Sequence, residues 1–185
     1  MFKLVEWNDS LDLSSFYKKA SERGFVNNSS KEMLIDCFKN EKKFNAWILY
    51  KDNDPVGSVA AHSLDILGNK AYRICSRSCA FPEYNPNKGL SSKRISLDMH
   101  QNFISQFFIP IGIEWAGVHN DLYISSHPSN VGSQKLIHNV FCPIMEDNGV
   151  LTKHSEMFYR GHVQTFWKIN SQEFKNQYGL YPKWV

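Results

Sequence analysis

Three apolar runs in close succession constrain this chain more than any other feature. Ala46-Trp47-Ile48-Leu49-Tyr50, Val56 to Leu64 and Ala71 to Phe81 are of strand length and mostly apolar. Turn residues separate them, Lys51-Asp52-Asn53-Asp54-Pro55 and then Leu67-Gly68-Asn69-Lys70. Apolar runs of strand length joined by turn chemistry read as consecutive antiparallel strands. Any architecture for the chain must accommodate this meander.

The flanking segments switch between periods of two and 3.6. Phe2, Leu4 and Val5 suggest a first strand. Leu11 to Arg23 repeats apolar residues at helical spacing up to Gly24, a natural stop. Ser29-Ser30-Lys31-Glu32 offers the cap of a second helix carrying Met33, Leu34, Cys37 and Phe38. After the meander, a helical pattern starts at Gly89 and is expected to stop before Pro110, because a residue preceding proline is biased away from helical dihedrals. Asp121 to Ser126 reads as a strand, and Gly132 to Met145 as a helix that Pro143 should kink or end. Val150 to Phe158 and His162 to Ile169 close the pattern as two strands around Arg160-Gly161, with Ser171 to Tyr178 as a last helix.

The expected order is β-α-α-β-β-β-α-β-α-β-β. This is an α/β (α+β) chain with a mixed, mostly antiparallel central sheet flanked by helices. Its later βαβ portion demands one parallel pairing across a crossover helix. The 185 residues are expected to form one domain, 1–185. With 42% hydrophobic residues the chain can bury a core without staples.

Composition narrows the function classes. A net charge of +3 with no dense Lys/Arg stripe argues against a nucleic-acid partner. The apolar stretch from Phe103 to Ile113 is broken by Ser105, Gln106, Pro110 and Gly112, which argues against a membrane span. The N-terminus has no basic head followed by an apolar run, so no signal peptide is expected. Cys37, Cys75, Cys79 and Cys142 form no CxxC pair and have no clustered histidines, so a metal is not expected. Reduced, mostly buried thiols in a cytoplasmic protein are the expectation.

Phe81-Pro82-Glu83-Tyr84-Asn85-Pro86-Asn87-Lys88-Gly89-Leu90-Ser91-Ser92-Lys93 resembles the strand-to-helix segment of the GNAT N-acetyltransferases, and the element order resembles theirs over nearly the whole chain. A loop that opens a helix presents unpaired N–H groups, and the helix dipole adds positive potential there. Gly89 would let the backbone approach a phosphate closely. The resemblance therefore implies that Asn87, Lys88, Gly89, Leu90, Ser91 and Ser92 cradle the pyrophosphate of acetyl-CoA. Relative to the family pattern, this loop carries a one-residue insertion and has Ser91 in place of a Gly or Ala.

Leu122-Tyr123-Ile124-Ser125-Ser126-His127-Pro128-Ser129-Asn130 resembles a second landmark of the same family and adds Asn130 to the expected cofactor contacts. The family tyrosine that protonates the departing thiolate has no counterpart: Ile137 or His138 stands at its position. The resemblance implies acyl transfer to an amine by direct attack on the thioester, with main-chain N–H groups of Cys79, Ala80 and Phe81 facing the carbonyl. His138 is a candidate general acid or a helix-surface position, and His127, Glu83 and His62 are candidate bases. Arg23, Asn27, Asn28, Tyr159, Arg160 and Trp167 are available to an acceptor pocket.

The acceptor expected is a small-molecule or peptide amine. The aromatic tail Tyr178, Tyr181 and Trp184 is left as a core cap or a homodimer contact. Two other readings stay open. One is a catalytically silent domain of the same fold that binds acyl-CoA or a protein partner. The other is a cysteine hydrolase or transferase built on one of the four thiols.

Overall fold

The computed structural model describes residues 1–84 and 103–179. Seven strands form one sheet in the order β1-β2-β3-β4-β5-β7-β6. They are β1 (Phe2–Glu6), β2 (Phe44–Lys51), β3 (Asp54–Ser63), β4 (Ala71–Ala80), β5 (Asp121–Ile124), β6 (Leu151–Tyr159) and β7 (His162–Ile169). The β1–β2, β2–β3, β5–β7 and β6–β7 pairs are antiparallel, and β4 with β5 is parallel. The meander and the parallel crossover expected from sequence are both present. The chain divides into two compact units, with β4 contributing to each.

The first unit takes residues 1–63 together with 76–84. Helix α1 (Ser14–Glu22) buries Phe16 and Ala20, one turn apart on the same face. They meet Leu13, Leu34, Ile48, Cys79 and Phe81 in a single core cluster. Gly24, at φ +79°, ends the helix as its sequence suggested. Ser30 caps α2 (Lys31–Ile35) by accepting from the Met33 amide at 3.2 Å.

The second unit takes residues 64–75 and 103–179. Its core cluster is Leu64, Ala71, Tyr123 and Phe166. Here the structure corrects the reading of Pro110. The helical chain does not stop before Pro110. A π-segment, Ile104–Phe108, leads into α3 (Ile109–Ala116), and Pro110 sits in the first turn of that helix. The same device recurs in α4, a run built of Val131–Ser133, the π-segment Gln134–Phe141 and Cys142–Asp147, where Pro143 again falls in a first turn. A first turn needs no N–H from the proline, and the wider π-ladder before it gives the ring room. Helix α5 (Ser171–Tyr178) is capped by Asn170, which accepts from the Glu173 amide.

Gly112 of α3 lies against β4. A Cβ at this position would stand 2.7 Å from Ile74 Cγ1, so only glycine allows the observed approach. The β6–β7 hairpin turns at Arg160 (φ +49°) and Gly161 (φ +86°), two left-handed residues in a two-residue loop.

Candidate functional site

In the second unit the parallel ladder is short. It pairs Ala71–Ile74 of β4 with Asp121–Ile124 of β5 and then stops. The next residue of β4, Cys75, is left-handed at φ +65°, and Arg77 follows at φ +49°. Both values are costly for residues with a side chain, and backbone held this way inside a strand is characteristic of functional segments.

Beyond Ile124 the chain runs through Ser125, Ser126 and His127, and a buried polar network grows there. Arg73 of β4 is 9% exposed. It donates from Nε to Ser125 Oγ at 2.8 Å and from Nη2 to the Ser125 carbonyl at 2.7 Å. Ser125 Oγ donates to Gln164 Oε1 of β7, and Gln164 Nε2 donates to the Tyr159 carbonyl at 3.0 Å. Gln134 of α4 reaches the Ser126 carbonyl and hydroxyl. None of these roles was expected from sequence. The usable signal was Arg73 itself, a charge between the apolar Tyr72 and Ile74 of a strand.

His138 corrects the expectation most. It is buried on α4, not exposed on the helix surface. Its Nδ1 accepts from the Trp167 indole N–H at 3.1 Å. Because the indole can only donate, neutral His138 carries its proton on Nε2. Nε2 is buried and without a hydrogen-bond partner. Burial, aided by the positive charge of Arg73, pulls the imidazole from 6.5 down to about 4. His138 is therefore neutral at pH 7, which opposes the general-acid role expected for it.

His127 stands at the carboxyl end of β5, where its place in the sequence put it. The Ser129 amide donates to its Nδ1 at 3.1 Å, and the Ser129 hydroxyl lies 2.6 Å from the same nitrogen. The ring of His162, the first residue of β7, meets it edge-on with centroids 4.0 Å apart. Asn130 accepts from the Ser133 amide at 3.1 Å and so caps the start of α4.

In the first unit Asn28 is buried. Its Nδ2 donates to Ser58 Oγ at 2.9 Å and to the Arg77 carbonyl at 2.7 Å. Ser58 Oγ also donates to that carbonyl and lies 3.2 Å from Cys79 Sγ. These contacts hold the left-handed Arg77 peptide in place. Arg77 Nε in turn donates to Cys37 Sγ at 3.2 Å. Cys79, Ala80 and Phe81 are buried. The Phe81 amide donates to the Val56 carbonyl at 2.8 Å, so it is not the ligand donor expected from sequence.

Glu83 pairs with Arg23 at 2.8 Å. Burial alone would raise its carboxyl, but the Arg23 hydrogen bond and charge outweigh burial and hold it below the ordinary carboxylate value. That makes Glu83 a clamp on Arg23 and a poor proton acceptor. His62 is fully buried, with Nδ1 2.7 Å from the Ser63 carbonyl and 3.6 Å from Glu41. The expected phosphate cradle, Asn87, Lys88, Gly89, Leu90, Ser91 and Ser92, lies outside the described residues. Among the described residues no group of His, Cys, Asp and Glu could hold a metal ion, and no helix is long and apolar enough to cross a membrane.

No protein-family model and no curated protein matches the sequence. Solved structures do match its fold. The aminoglycoside acetyltransferase AAC(6')-Ib in complex with coenzyme A is 11% identical, with 96% of this chain and 99% of that chain covered and a TM-score of 0.56. The same enzyme with coenzyme A and kanamycin gives 10%, 96%, 99% and 0.55. A putative acetyltransferase of the GNAT family from Desulfovibrio desulfuricans is 9% identical, with 91% and 99% covered and a TM-score of 0.50.

Proposed function

We propose that this chain, whose fold is that of the GNAT acetyltransferases, is an acyl-CoA-dependent N-acyltransferase that moves an acetyl group from acetyl-CoA to a small-molecule or peptide amine. The observation that carries the reading is the ending of the parallel ladder at Ile74 and Ile124, followed at once by left-handed backbone at Cys75 and Arg77. Ligands of sheets with parallel strands favour the carboxyl ends of those strands. The solved structures of this fold that hold coenzyme A, with or without kanamycin, support the class of both substrates.

Acetyl-CoA supplies the activated acyl group. The chain's own tasks are to hold the thioester carbonyl against main-chain donors, to place the amine and to take its proton. An amine arrives protonated at neutral pH and attacks only after deprotonation. Lys88 to Ser92 is the proposed pyrophosphate contact, with Asn130 at the start of α4 as a further cofactor contact. The donors at the thioester would come from the amides of Cys79 and Ala80.

One observation favours a second reading. Ile137 or His138 stands at the position of the missing tyrosine, and His138 is neutral and buried. A domain that binds acyl-CoA without turning it over would show this too. Calorimetric titration with acetyl-CoA, followed by turnover assays with kanamycin, spermine and a lysine-containing peptide, separates the two. Binding with transfer to an amine supports the enzyme. Binding without transfer supports the silent domain, and no binding removes both.

A further inference from the structure

We propose that His162 is the residue that takes the proton from the acceptor amine, with His127 as its positioning residue; this rests on the acyltransferase reading above. Two strands bring the pair to one end of the second unit. Ile124, the last residue of β5, pairs with Trp167 of β7. Because β7 runs antiparallel to β5, His127, just past the end of β5, and His162, at the start of β7, lie at the same end of the sheet. That end is where the β4–β5 ladder stops, and the two rings meet edge-on at 4.0 Å.

The hydrogen bonds divide the roles. The Ser129 amide occupies the lone pair of His127 Nδ1, so neutral His127 carries its proton on Nε2 and has no nitrogen open to accept another. His162 is exposed, and among the described residues no hydrogen bond or ion pair engages its imidazole. Its ring is steadied by His127 while a nitrogen stays open to a ligand. The Tyr159–His162 pair closes the hairpin beside it, and Arg160 lies 5.2 Å from the Tyr159 ring centroid.

The ammonium of the acceptor gives one proton to neutral His162 and becomes a free amine. The amine nitrogen forms a bond to the thioester carbonyl carbon, and the carbon–sulfur bond then breaks. The departing thiolate takes the second proton from nitrogen, yielding amide and CoA thiol. His162 returns its proton to solvent, to which it is open.

The test uses the whole chain with acetyl-CoA and the best acceptor among kanamycin, spermine and the lysine peptide. His162→Ala should lower kcat by roughly 10²-fold, leave calorimetric affinity for acetyl-CoA and the melting temperature unchanged, and recover activity when imidazole is added to the buffer. His127→Phe keeps an edge-on aromatic against His162 and should retain most activity, whereas His127→Ala should not. Wild-type kcat in His162→Ala, or a loss that added imidazole fails to restore, overturns the assignment while leaving the acyltransferase reading intact. Wild-type transfer to none of the amines overturns that reading and this inference together.

Discussion

The indole N–H of Trp167 points at Nδ1 of His138 from 3.1 Å and fixes the tautomer of a buried imidazole. The histidine is held near 4, well below its ordinary 6.5, by burial and by the charge of Arg73. Between those two pH values the unfolded chain binds a proton that the folded chain refuses. Stability should fall as pH drops through that window, by on the order of 3 kcal/mol. Above 6.5 the group is neutral in both states and adds no pH dependence. Urea midpoints measured from pH 7 down to pH 4 should fall more steeply in the wild type than in His138→Leu. Equal slopes would show that His138 is not held neutral.

Gly112 gives a packing prediction. A methyl group there meets Ile74 at 2.7 Å, and the core must shift to admit it. Gly112→Ala should cost about 1–3 kcal/mol. The cost should shrink in an Ile74→Ala background, because the two nearest atoms are gone. Chemical denaturation of the double-mutant cycle measures this, and additive losses would contradict the close approach.

Asn28 holds the left-handed Arg77 peptide from a distance of 49 residues along the chain. Asn28→Ala removes hydrogen bonds to both Ser58 and the Arg77 carbonyl. It should lower stability by about 1–3 kcal/mol. Arg77→Gly, which suits the observed φ of +49°, should cost less than Asn28→Ala in the same thermal melts.

The thiols test the cysteine-hydrolase alternative. Burial pushes Cys75 and Cys79 up to about 12 and raises Cys142 as well, whereas Cys37 is half-buried beside Arg77. Thiolate nucleophiles need the opposite environment. Iodoacetamide at pH 8 should label Cys37 alone in the native protein, and acyl transfer should survive Cys37→Ser. Loss of activity in that variant would favour cysteine chemistry.

Much of the fold was legible because its signals are local. Ser30 caps the helix it precedes, Gly24 ends the helix it follows, and Arg160-Gly161 makes the hairpin turn between two alternating runs. Pro110 misled because its usual effect as a helix stop is cancelled by a π-segment that nothing in the sequence announces. The candidate site was less legible, since its contacts join distant segments. Arg73 meets Ser125 across 52 positions and His138 meets Trp167 across 29. His127 was readable from its place after a strand, but its partner His162 becomes visible only once β7 is set antiparallel to β5.

The proposed function stands or falls on the binding of acyl-CoA by Asn87 to Ser92. A crystal structure of the protein with acetyl-CoA tests it most directly. Pyrophosphate density is expected against the main-chain amides of Lys88 to Ser92. Density elsewhere, or none at saturating acetyl-CoA, would contradict it.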